Sequence, residues 1–116
     1  YYFEATSWSD ISYAVNDYLG FAANIPACSG SEIFFEYDVT YGGSINVYIM
    51  SSDPYSLLNS YLSTLENESY TIDDEYADED YYFCTNSEET FCIDATLTQV
   101  ESEEDYDAVV LYIYNI

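Results

Sequence analysis

The chain has 116 residues, of which 23 are acidic and none is lysine, arginine or histidine, giving a formal charge of −23. That inventory excludes side-chain salt bridges, lysine or histidine chemistry, and the cationic phosphate contacts on which nucleic-acid binding rests; an anionic membrane surface is disfavoured for the same reason. A hydrophobic content of 49 % with 16 tyrosines argues for a folded chain, since disorder goes with low hydrophobicity and few aromatics, and the length fits one domain over 1–116.

In chain order, the opening Tyr1-Tyr2-Phe3-Glu4 has neither a positive region nor a long apolar stretch, so it does not read as a signal peptide. Segments 2–8 and 11–15 read as strands of weak phase. The first strong element is 33–39, where Ile33, Phe35, Tyr37 and Val39 alternate with Phe34, Glu36, Asp38 and Thr40, the period of a half-buried strand. Gly42-Gly43 signals a turn, and Ile45, Val47 and Ile49 alternate again, so 33–49 predicts a β-hairpin. Asp53-Pro54 can cap and open a helix. Leu57, Leu58, Tyr61, Leu62 and Leu65 recur at helical spacing, which predicts one short helix over 54–65.

Segments 81–85 and 90–98 form a second predicted hairpin. Segment 108–116 is apolar on both faces, with Val109, Leu111 and Ile113 opposing Val110, Tyr112 and Tyr114. Such a strand is either buried on both sides within its own sheet or is an edge that completes a neighbour's sheet. No run of 18 apolar residues exists, so no transmembrane helix is expected. Seven or eight short strands with turns about every ten residues predict an all-β fold, an antiparallel, jelly-roll-like β-sandwich.

Ser29-Gly30-Ser31-Glu32-Ile33-Phe34-Phe35-Glu36-Tyr37-Asp38-Val39, then Gly42-Gly43 and Ile45-Asn46-Val47-Tyr48-Ile49, then Asp80-Tyr81-Tyr82-Phe83-Cys84-Thr85-Asn86, together resemble the GOLD-type and pre-peptidase C-terminal-type β-sandwich domains of secretory and extracellular proteins. The resemblance covers 28–97. It implies an accessory folding or binding domain rather than a catalyst. The chain departs from that group in its dense acidic segment and in its lack of basic residues.

There are three cysteines, and an odd number leaves one thiol free or paired between molecules. In the second hairpin, a register opposing Phe83 to Ile93 sets Cys84 across from Cys92 at a bridgeable spacing. The family resemblance implies Cys28 with Cys84 instead. Three buried thiols are the third reading. Zinc is not supported without histidine or a C-x₂-C pair.

Serine nucleophiles have no histidine or lysine base, and paired carboxylates occur by chance in any acid-rich chain, so no enzyme is expected. Asp73, Asp74, Glu75, Asp78, Glu79 and Asp80 offer the hard oxygens that Ca²⁺ takes. The segment is no EF-hand, with Ala77 at the fifth position and Asp78 where glycine is needed, and a solvated acidic loop is the simpler reading. Residues 101–107 read as a second acidic loop. Asn67-Glu68-Ser69 is an N-glycosylation sequon, placed in the loop after the helix. Tyr1, Tyr2, Tyr48, Val110, Tyr112 and Tyr114 are the interface candidates: tyrosine favours contact faces, and Val110 shares a side of the terminal apolar strand with Tyr112 and Tyr114.

These features point to a non-enzymatic extracellular structural or interaction domain, such as a subunit of a surface filament, coat or adhesive assembly. Its partners would be copies of itself or other extracellular proteins. The alternatives are a calcium-dependent or glycan-binding accessory module of a larger secreted protein, and an acidic decoy for a basic protein.

Overall fold

A computed structural model describes residues 2–20 and 25–116. Its strands are β1 (Phe3–Ala5), β2 (Ile33–Asp38), β3 (Ser44–Met50), β4 (Thr71–Asp73), β5 (Tyr82–Thr85), β6 (Phe91–Thr98) and β7 (Ala108–Asn115). All seven lie in one antiparallel sheet, in the order β1-β2-β3-β7-β6-β5-β4. The strand-rich, antiparallel class expected from the alternation is present, but the second sheet of a sandwich is not found among the described residues. Two helices, α1 (Trp8–Leu19) and α2 (Pro54–Asn67), form the second layer in its place.

The first helix corrects the strand expected at 11–15. Ile11, Ala14 and Val15 are buried at i, i+3 and i+4, and Trp8, Tyr18 and Leu19 extend the same stripe. That is helical rather than alternating periodicity. Gly20 ends the helix with φ 79°, the left-handed conformation in which a missing Cβ costs nothing, and its amide donates to the Asn16 carbonyl. The Trp8 indole donates to the Ile25 carbonyl at 2.9 Å, and Asn115 of β7 donates to the carbonyl of Leu19.

The second helix starts as expected. Pro54 opens it, and the Asp53 side chain accepts the amide of Ser56. Leu58, Tyr61, Leu62 and Leu65 are its buried face. Asn67 is its last residue and is exposed, at the helix end rather than in the loop beyond.

Both helices pack on the same side of the sheet. The core joins Ile11, Val15, Leu58 and Leu65 to Ile45, Val47 and Ile49 of β3, Val109, Leu111 and Ile113 of β7, and Ile93, Ala95 and Leu97 of β6. Gly30 lets the chain run close against the end of β3. A Cβ there would run into Ile49 and the Met50 carbonyl, and the Ser31 amide donates to that same carbonyl.

The 33–49 hairpin forms in the expected phase, with Ile33 opposite Ile49 and Phe35 opposite Val47. The second hairpin is one residue out of the expected register: Cys84 faces Ile93 and Thr85 faces Cys92. A shift of one residue sends each side chain to the other face. The loop sets the register, because the Asn86 side-chain oxygen accepts the amides of Thr90 and Phe91.

The strand expected as a possible linking edge is central. The described β7 is hydrogen-bonded to β3 on one side and β6 on the other, which accounts for its being apolar on both faces. The two edges, β1 and β4, are three residues each.

Candidate functional site

The helices leave one face of the sheet uncovered, and the register fixes what stands on it. One cross-strand row runs Glu36–Asn46–Tyr112–Asp94–Phe83–Asp73, from β2 through to β4. Its five strand spacings span about 24 Å. A neighbouring row runs Glu4–Phe34–Tyr48–Val110–Thr96. On the other side of the first lie Asp38 with Ser44, and Tyr114 with Cys92. Aromatic rings and carboxylates are therefore interspersed on a face on which neither helix packs.

Hydrogen bonds tie this surface together. Asp94 is only 6 % exposed. The Tyr114 hydroxyl donates to both of its carboxylate oxygens at 3.1 and 3.0 Å, and Tyr81 approaches at 3.5 Å. Burial raises the Asp94 carboxyl to about 6, against the two tyrosine bonds, which pull it down. Tyr81 is pushed up to about 12, first by burial and then by the charge of Asp94, and Tyr114 is raised by the same two causes in the same order. The Tyr48 hydroxyl donates to Glu36; burial and that bond raise its pKa.

Asp38 accepts the side-chain hydroxyl and the amide of Thr40, which hold its carboxyl below the usual range, and Asn46 reaches it at 3.4 Å. Ser44 in turn donates to Asn46. Among the described residues, every buried side-chain nitrogen or oxygen has a hydrogen-bond partner, so the network needs no ligand to complete it.

Among the described residues, two depressions that open on this face bear on the site. One, of about 420 Å³, is lined by Asp38, Ser44, Tyr81, Tyr112 and Tyr114 among others. The other, of about 300 Å³, is lined by Tyr2, Glu4, Phe34, Tyr48, Val100 and Glu101. The Tyr2 and Tyr48 rings meet edge to face at a centroid distance of 5.3 Å.

Of the expected interface residues, Tyr48, Tyr112 and Tyr114 stand half-buried on this face, and Tyr2 is 58 % exposed beside it. Val110 is on the same face but fully buried. Tyr1 lies outside the described residues. Asp94, Tyr81, Glu36, Asp38 and Asn46 were not among the site residues expected from the sequence. Apart from Tyr81, which precedes β5, their signal was the polar phase of each strand, which becomes a site only when the strands are placed side by side.

Neither expected cysteine bridge is present, and all three residues are thiols. Cys84 points to the helix side and Cys92 to the opposite face, so the one-residue register change separates them. Cys28 and Cys84 both belong to the core and both bear on Tyr61, whose hydroxyl donates to the Pro26 carbonyl. Burial pushes each of these two thiols up to about 12, away from the thiolate that reacts or binds metal.

The acidic segment proposed for calcium runs from the end of β4 through a single 3-10 turn, Ala77–Glu79. Asp73, Asp74, Glu75, Asp78 and Glu79 are exposed there. The Asp73 side chain accepts the Glu75 amide, and Asp80 ends the turn at φ 56°. Among the described residues, no group of three or more cysteine or carboxylate side chains is placed to hold a metal ion.

The second acidic run has an organiser. Asp107 accepts the amides of Val100, Glu101 and Ser102 at 2.7, 2.9 and 2.9 Å. Partial burial opposes ionisation of Asp107, but these bonds together hold its carboxyl below the usual range. No helix of the described residues is long and apolar enough to cross a membrane. No family model, curated protein or solved structure matches this chain.

Proposed function

We propose that the chain is a non-enzymatic interaction domain that works through its helix-free sheet face, in an extracellular assembly such as a coat, filament or adhesive layer. The observation that carries the reading is the composition of that face. Rings of Phe34, Tyr48, Phe83, Tyr112 and Tyr114 stand among the carboxylates of Glu4, Glu36 and Asp38, and the chain contains no lysine, arginine or histidine to neutralise them. Aromatic area combined with a polar rim is the composition of a contact surface.

Assembly through the sheet edges is the poorer geometry, because three-residue edge strands offer few main-chain bonds to a neighbour. On this reading the sandwich expected from the sequence is completed between molecules, with a partner's extended segment laid on the open face.

The test is thermal melting at low salt with and without tetralysine. A saturable rise in Tm that high salt abolishes is the expected result. A flat response to the oligocation would remove the reading, because a face built to meet positive charge must gain stability from it.

A further inference from the structure

Resting on that reading, we propose that the helix-free face docks an arginine-bearing basic segment of another protein, with guanidinium groups seated in its two aromatic depressions.

The choice of occupant follows from charge. A second copy would bring another −23 against this one, and a nucleic acid would bring phosphates. Both place anion on anion, whereas a basic segment is the complement.

The choice of arginine over lysine follows from the lining. Each depression pairs aromatic rings with carboxylates: Tyr81, Tyr112 and Tyr114 with Asp38 in one, Tyr2, Phe34 and Tyr48 with Glu4 and Glu101 in the other. A planar guanidinium stacks on a ring face and forks its N–H groups to a carboxylate at the same time, while an ammonium is a compact and strongly hydrated point charge. Acceptor capacity remains for it. The second oxygen of Asp38 is met only by Asn46 at 3.4 Å, and Glu36, which lines neither depression but bonds Tyr48 of the second, is engaged through one oxygen. An ionised carboxylate has about four acceptor sites. One ring of each depression is also held in place before any partner arrives, Tyr48 by Glu36 and Tyr114 by Asp94, so these two lose little side-chain freedom on binding.

The experiment uses an alternating arginine–glycine peptide and its lysine–glycine counterpart of equal charge, titrated calorimetrically into the protein at neutral pH and low salt. The arginine peptide is expected to bind roughly tenfold more tightly. In ¹⁵N spectra of the unmodified protein, its largest shifts are expected at Phe34, Tyr48, Tyr112 and Tyr114. The double variant Tyr48→Leu/Tyr112→Leu should lose the arginine preference and keep its affinity for the lysine peptide.

Equal affinity for the two peptides, or shifts confined to 73–80 and 101–107, would overturn the docking site while leaving an acidic interaction domain standing. Failure of both peptides to bind would count against both. Should the double variant not fold, the shift map on the unmodified protein decides.

Discussion

Asp94 shows most directly what the absence of cations does at a single residue. In another chain a carboxylate this buried would be paired with an arginine or lysine; here its partners are the hydroxyls of Tyr114 and Tyr81. Desolvation wins over those bonds and raises the carboxyl to about 6. The sign for stability follows. The folded state holds this proton more tightly than the unfolded chain, whose carboxyl titrates near 4, so stability grows as pH falls from about 6 toward 4, and ionisation at neutral pH opposes folding. Asp94→Asn keeps an oxygen for the tyrosines and removes the titration. Urea denaturation at several pH values between 4 and 7 should show a variant at least as stable as the parent at pH 7, with a stability curve flatter by up to one proton across that window. An unchanged slope would mean that Asp94 does not carry this titration.

At the scale of elements, β7 holds the sheet together. It lies between β3 and β6 along nearly its whole length, and its Val109, Leu111 and Ile113 enter the core beneath the helices. Removing 108–116 would split the sheet into two pieces, each with one face unsupported. Circular dichroism and urea titration of the truncated chain should find no cooperative transition, whereas a folded truncated monomer would show the strand to be dispensable. The sequence made some of this legible and hid the rest for physical reasons. The 33–49 hairpin could be read because strict alternation on both strands meets Gly42-Gly43, and α2 because Asp53-Pro54 precedes a helical repeat of leucines. The first helix was obscured because Ile11, Ala14 and Val15 make a short apolar cluster; only with Trp8, Tyr18, Leu19 and the stop at Gly20 does the helical period emerge. The register of β5 on β6 rests on one side chain, Asn86, folding its loop, and the one-residue change there turns Cys84 into the core and leaves Cys92 on the open face. The open face was the least legible. Alternation separates the two sides of each strand, but which strands lie side by side, and which side the helices take, depends on tertiary packing.

For the whole molecule, the charge makes stability depend on pH in two opposing ways. Like charges that no side-chain cation offsets disfavour the compact state, and protonation relieves them, with Asp94 contributing from about 6 downward. Against this stand three carboxyls that hydrogen bonds hold below their ordinary range. Asp10 is held by the amide and then the hydroxyl of Thr6, and Asp38 by the hydroxyl and then the amide of Thr40. At Asp107 partial burial pulls upward, and the amides of Val100, Ser102 and Glu101 together outweigh it. A depressed carboxyl contributes stability above its unfolded value near 4, and that contribution is lost as pH falls through its lower folded value. The two trends cross, so Tm measured from pH 2 to 8 should rise on acidification from neutrality, peak near pH 4 and fall below it. Added salt should raise the neutral limb most, because screening acts on exposed charges and hardly on buried ones. Binding of a basic peptide should run the other way, weakening as the protein becomes more stable toward pH 4, since protonation removes the negative charge that a cation recognises. A Tm that climbs steadily from pH 4 to 8 would mean that carboxylate repulsion is negligible in the folded chain, and the open face would then have no electrostatic deficit for a partner to fill.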